Sequence, residues 1–255
     1  MKALEAYAAN MFAQTPFHLA LMGVAAYMTH RSSTAPTPPS KDNEIVREAK
    51  PMERIFQVSG KVVGQMGSAT KYMTWASAGC TAAVLLAREY PSELSTAVLQ
   101  KLLPAGIGAA ARIQPTPVVL AGYVLTVVGA GIRVACFRAL DRFFTFQVTV
   151  KEGHQLCTRG PYSIVRHPSY TGWCIQSVGI ALWSCCAGSW AREAGLLERP
   201  TGMAAACVFV GVQTYIWLCI VLRCGQEDAW LRKHFGKGWD EWARTVPYRL
   251  VPFVY

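Results

Sequence analysis

Five apolar runs, at residues 11–29, 72–87, 118–135, 172–189 and 203–222, govern what this chain can fold into. About 20 apolar residues in helical form cross a hydrocarbon core, and a helix satisfies every backbone polar group within the segment itself. Each run is near that length, the second being the shortest. The chain holds 52% apolar and 16% charged residues in 255, which departs from soluble averages in the same direction. The sequence therefore predicts an all-α fold, a polytopic transmembrane helical bundle of five spans, or six if the apolar patch at 94–111 also crosses.

The net charge of +10 comes from 25 Lys and Arg against 15 Asp and Glu. No basic cluster is interleaved with stacking aromatics, so nucleic acid is not an expected partner. The basic residues fall unevenly between the loops: seven in 31–71, five in 138–166 and six in 223–255, against six across the loops of the other side. By the positive-inside rule the N-terminus is lumenal and the C-terminus cytosolic. Thr29-His30-Arg31 follows the first run in place of a small-residue cleavage site, so that run is expected to stay as an anchor. Of nine cysteines, Cys80, Cys136, Cys174, Cys185, Cys186, Cys207 and Cys219 fall in or beside the spans and read as small buried hydrophobes. Cys157 and Cys224 face the reducing cytosol, and no CxxC or zinc-type His/Cys spacing occurs, so no metal is expected.

Two ionisable clusters stand at the mouths of these runs, where charge is costly unless it serves a partner or ligand. Residues 159–172 read Arg-Gly-Pro-Tyr-Ser-Ile-Val-Arg-His-Pro-Ser-Tyr-Thr-Gly and enter the fourth run; Arg223-Cys-Gly-Gln-Glu-Asp228 leaves the fifth. The topology puts both on the cytosolic face. Gly160-Pro161 signals a turn, and a short helix over 162–166 should stop before Pro168, leaving His167 and Tyr170 projecting from a bend. Arg223 and Glu227 are four apart and share a helix face. Arg133 either snorkels to the interface or meets substrate, and Arg166 is expected to contact headgroups or helix ends. Residues 30–54 read as a loop and 55–71 as a helix against the headgroups. Phe144–Val150 reads as a short extended segment, and the aromatic, basic last 25 residues as an interfacial helix. His18 reads as structural, His30 and His234 as solvated.

Arg166-His-Pro-Ser-Tyr-Thr-Gly-Trp173, preceded by Gly160-Pro161-Tyr162, and Arg223-x-x-x-Glu227-Asp228 followed by Phe235-Gly236 resemble the protein-S-isoprenylcysteine O-methyltransferases, from about Arg133 to the C-terminus. The resemblance implies an enzyme of the endoplasmic reticulum membrane, its active site facing the cytosol, with S-adenosylmethionine as cofactor. Its partners would be prenylated CaaX proteins and membrane lipids, the product a methyl ester on the C-terminal prenylcysteine. Residues 1–114 would be anchor helices and a cytosolic loop, and 115–255 the methyltransferase core. Gln147, His154, Gln155, Leu156, Cys157, Tyr162, His167, Pro168, Ser169, Tyr170 and Glu227 would bind the cofactor. Arg223 and Glu227 would be catalytic, and Arg223, with Arg133, would bind substrate. The chain departs from the family in having Asp228 where a second glutamate is usual, and in showing five spans where six or eight are common. A carboxylate is already ionised near neutral pH, so such a transfer needs proximity, alignment and exclusion of water rather than a general base.

Three rival readings remain at the level of sequence. A phospholipid N-methyltransferase would attack with an amine and would gain nothing from Arg223. An NADPH-dependent sterol reductase shares the tail Phe235-Gly-Lys-Gly-Trp-Asp-Glu-Trp242 and the segment from Val246 to Tyr255. A non-catalytic membrane scaffold gives no reason for polar clusters to converge on one face.

Overall fold

The computed structural model describes residues 2–37, 51–145 and 153–255. Eight helices occur among them: α1 (Lys2–Ser32), α2 (Pro51–Glu89), α3 (Glu93–Leu102), α4 (Pro117–Leu140), α5 (Pro168–Cys185), α6 (Trp190–Glu193), α7 (Pro200–Phe235) and α8 (Lys237–Thr245). Tight 3-10 turns lie at Ile107–Arg112, Asp141–Phe143 and Gly160–Ser163, and the described residues contain no strand. Four helices open on proline, whose fixed φ suits a first helical turn and whose missing N–H is no loss there. α3 is started by Ser92, whose hydroxyl accepts from the Ser95 amide while Ser95 reaches back to the Ser92 amide.

Two segments, Pro117–Phe143 and Pro200–Phe235, are long and apolar enough to cross a membrane. The other three apolar runs lie in α1, α2 and α5. Residues 55–71 do not form a separate helix: no proline follows Pro51 before Glu89, and one 39-residue helix runs through. The patch at 94–111 is divided between the ten residues of α3 and a 3-10 turn, and ten helical residues reach only about 15 Å, half a hydrocarbon core. The expected helix over 162–166 is the 3-10 turn at Gly160–Ser163.

The chain divides into two compact units, and each of the five long helices supplies residues to both. The first comprises Met1–His30, Lys71–Val127 and Gln176–Gly211. Its core joins Met22, Ala25 and Ala26 of α1 to Ala78 of α2, Val119 and Tyr123 of α4 and Trp183 of α5. His18 is buried there and bonds the Tyr123 hydroxyl at 2.8 Å. Arg88 donates to the carbonyls of Ala110 and Ile113 at 3.1 and 3.2 Å and to the Thr15 hydroxyl at 2.9 Å. Arg112 meets Glu193 at 2.7 Å. Burial opposes ionisation of Glu193, but the Gly188 amide and Arg112 outweigh it and hold the carboxyl below its ordinary value.

The second unit comprises Arg31–Thr70, Val128–Ile175 and Val212–Tyr255. Here α4 and α5 nearly touch: a Cβ on Gly172 would stand 2.6 Å from the Gly129 carbonyl oxygen, so only glycine fits. One core cluster joins Trp173 to Ile216, Ile220, Cys224 and Leu250; another joins Trp239, Trp242 and Val246 to Leu156, Tyr162, Leu231 and Phe235. Gly236, at φ +55, breaks α7 from α8 with a conformation that L side chains rarely adopt. The turn folds the tryptophans of α8 into the protein, so Trp239 and Trp242 are buried core residues rather than the interfacial anchors the composition suggests. Cys224 is likewise fully buried and does not face solvent.

Candidate functional site

The second unit encloses a cavity whose longest wall is one face of α7. Ile216, Ile220, Arg223, Glu227, Trp230, Leu231 and Phe235 recur at three- and four-residue intervals and all line it. Along the helix the wall therefore passes from aliphatic to cationic to anionic to aromatic. Arg223 and Glu227 are about 6 Å apart along the axis, at 1.5 Å per residue.

The entry to α5 supplies the opposing groups. Pro168 occupies the first helical position and sends His167 and Tyr170 to the same side, their rings stacked with centroids 5.7 Å apart. The Tyr170 hydroxyl donates to Glu227 at 2.8 Å, and the Arg223 guanidinium lies 5.8 Å from the Tyr170 ring centre and 3.8 Å from the Glu227 carboxylate. Gln155, Leu156, Cys157, Tyr162, His167, Ser169 and Tyr170 all line the cavity, as does His154, stacked on Phe143 at 5.0 Å and edge-on to Phe235 at 5.7 Å. The half-buried Tyr162 phenol is pushed well above its ordinary pKa, by desolvation first and then by Cys136 and Glu227, so it stays a neutral donor. Gln147 lies outside the described residues, and Pro168 shapes the bend without being part of the lining.

The two adjacent carboxylates of α7 have different surroundings. Glu227 faces the cavity. Asp228 is 4% exposed, accepts from His167 Nε2 at 3.0 Å and Arg249 Nε at 2.9 Å, and forms an ion pair with Arg166 at 3.3 Å. A carboxylate on Nε2 fixes the His167 ring and leaves Nδ1 directed toward Glu227, 4.0 Å away. The same bend is held by the tail: the Arg166 and His167 amides donate to the carbonyls of Tyr248 and Arg249 at 2.9 and 2.8 Å, and the Thr171 hydroxyl to that of Leu250 at 2.6 Å.

Several side chains differ from expectation. Arg133 does not snorkel. It is 4% exposed, lines the cavity, and donates to the Ser32 carbonyl at 2.9 and 3.1 Å and to Ser169 at 3.2 Å. Arg166 meets Asp228 instead of headgroups, because the bend turns it inward. His234 is exposed, as expected, although its ring stacks on Trp230 and abuts Phe235, whereas His30 is half-buried and accepts from the Trp75 indole at 3.4 Å. Sequence reasoning missed Phe143, Trp173, Trp230 and Trp242 as lining, and Arg249 as a partner of Asp228. Extending the face of Arg223 and Glu227 by two further turns would have found Trp230 and Phe235; no local pattern marks Arg249.

A helical fold with two membrane-length segments, and a cavity where a guanidinium and a carboxylate share one helix face beside a stacked His–Tyr pair, defines the class. Residues 122–191 match the family model described as the isoprenylcysteine carboxyl methyltransferase (ICMT) family, a range that includes the motif from Arg166 to Trp173. Protein-S-isoprenylcysteine O-methyltransferase B of Arabidopsis thaliana is 31% identical over 135 residues, 52% of this chain and 58% of that protein. The probable protein-S-isoprenylcysteine O-methyltransferase of Oryza sativa subsp. indica is 26% identical over 173 residues, 67% of this chain and 80% of its own. The match thus spans little more than half the length of the Arabidopsis relative. A Delta(14)-sterol reductase of Mus musculus is 29% identical over 103 residues, covering 42% of this chain but only 20% of that protein.

Proposed function

We propose that this chain is a membrane-embedded carboxyl methyltransferase that esterifies the C-terminal carboxylate of prenylated cysteine, with S-adenosylmethionine as methyl donor. The observation that carries the reading is the order of groups along α7. Ile216 and Ile220 offer an aliphatic wall for a prenyl chain. Arg223, one turn on, offers a guanidinium that matches a carboxylate. Glu227 and Tyr170 offer the anion and ring face that a sulfonium and an amino group require. Trp230, Phe235, His154 and Trp242 offer flat surfaces for a purine.

The cofactor supplies a methyl group activated by a positive sulfur, and the donor set at the aromatic end of the cavity fits it. His154, Gln155, Leu156, Cys157, Tyr162, Ser169, Tyr170 and Glu227 would hold it, with His167 and Pro168 shaping the bend; Gln147 is assigned to the cofactor by the family resemblance alone. Arg223 orients the acceptor carboxylate and Glu227 holds Arg223 in place, while the apolar walls exclude water from both reactants. No residue has to remove a proton. Arg133, with its donors on Ser32 and Ser169, serves the framework between α4 and α5 rather than the acceptor carboxylate.

In this reading residues 115–255 form the catalytic core and 1–114 anchor it, lending Ser33 and Gly67 to the cavity lining. The enzyme crosses the endoplasmic reticulum membrane five times and opens to the cytosol, where prenylated CaaX proteins arrive along the bilayer; the charge distribution over the loops supports this orientation. Purified protein given labelled S-adenosylmethionine is expected to form a base-labile ester with N-acetyl-S-farnesylcysteine. Label in phosphatidylethanolamine would favour the amine-methylating rival, and NADPH consumption with a sterol would favour the reductase.

A further inference from the structure

Ser33 and Gly67, outside the motifs that carry the family resemblance, line the cavity with Arg133 and Trp173: a Cβ on Gly67 would stand 3.7 Å from the Trp173 ring, and the Arg133 guanidinium beside that ring donates to the carbonyl of Ser32, the residue before Ser33, so the four share one corner. Ser33 is 6% exposed and Trp173 5%, and both carry a buried donor, the Ser33 hydroxyl and the Trp173 indole N–H, with no hydrogen-bond partner among the described residues. A buried donor left unpaired is costly, so two on one cavity wall point to a ligand that completes them.

The surroundings restrict what that ligand group is. The Arg133 guanidinium stacks 4.9 Å from the Trp173 ring centre while its own donors go to Ser32 and Ser169, so the corner is positive without offering Arg133 as the contact. A sulfonium or ammonium is disfavoured there, and an uncharged acceptor oxygen is favoured. Trp173 also packs on Ile216 and Ile220, which sets it level with the aliphatic stretch of α7, just before Arg223. The group is therefore a neutral acceptor a few bonds from both a carboxylate and an apolar chain.

We propose that Trp173 and Ser33 bind the carbonyl oxygen of the amide that precedes the prenylated cysteine. The subsite rests on the carboxyl methyltransferase reading and adds to it a preference for an acylated, chain-terminal cysteine over a plain prenylated thio acid. The two ligands that differ in this one respect are N-acetyl-S-farnesylcysteine and S-farnesylthiopropionic acid, which share tail and carboxylate.

The test measures binding of each acid to the detergent-purified full chain by thermal stabilisation, in the presence of S-adenosylhomocysteine, for wild type, Trp173→Phe and Ser33→Ala. Wild type is expected to prefer the acylated cysteine, and each substitution to shrink that preference about fivefold, the worth of one hydrogen bond. Affinity for the thiopropionic acid and for S-adenosylhomocysteine should stay within about twofold, since neither has an oxygen at this corner. Ser33→Ala, which removes one exchangeable oxygen, carries the test alone if Trp173→Phe does not fold. A preference that survives both substitutions overturns the subsite, as does a loss confined to S-adenosylhomocysteine. A wild-type chain that binds S-adenosylhomocysteine but neither acid overturns the methyltransferase reading, and the subsite with it.

Discussion

His18 and His167 are each almost fully enclosed, yet their neighbourhoods are opposites. In the unit that holds His18, polar groups close on one another: His18 on Tyr123, and Arg88 on Thr15 and two carbonyls. In the unit that holds His167, they form a chain from Arg249 through Asp228 and His167 to a cavity that Arg223 and Glu227 line. Tyr123 and Trp183 close against Ala25, Ala26 and Ala78 in the first interior, whereas the large aromatics of the second frame an opening. Burial of a charged or polar side chain in a membrane-type helix is therefore no guide to function by itself. What separates the two units is whether the pairing ends inside the protein or at a space large enough for something else.

The contrast can be broken at four points. Arg223→Ala should lower kcat/KM for a prenylcysteine about a thousandfold, the scale of losing one member of a buried charge pair, while S-adenosylhomocysteine binding changes little. Equal loss of both would erase the division of labour along α7. Asp228→Asn should destabilise by about 3 kcal/mol, since it leaves Arg166 and Arg249 without their anion, and should weaken cofactor binding through His167; denaturation in mixed micelles and ligand titration read the two effects. His18→Ala should cost about 2 kcal/mol of stability by stranding the Tyr123 hydroxyl, with activity per folded molecule unchanged. If activity fell as well, the first unit would not be the closed framework described. Ser92→Ala should cost about 1 kcal/mol through the cap of α3 and leave every ligand affinity alone.

What could be read in advance was whatever repeats with the period of a helix or lies within one short segment. The pairing of Arg223 with Glu227, the bend before Pro168 and the apolar runs are of that kind. The environment of Asp228 is not, because Arg249 is 21 residues away and His167 is 61. The fate of Trp239 and Trp242 turned on one backbone angle at Gly236, which decides whether their ring faces meet lipid headgroups or the protein interior. Arg133 was ambiguous for a related reason: its acceptor, the Ser32 carbonyl, is 101 residues distant, and the close approach at Gly172 that draws α4 and α5 together is invisible in a list of side chains.

The tail that secures the bend also sets an order of events during synthesis. Thr171 and its acceptor Leu250 are 79 residues apart, so the strap over residues 166–171 can close only once translation has passed Leu250 and the last of the long helices has been inserted. Until then the His167 amide lacks its acceptor on Arg249, and the bend before α5 is held from one side only.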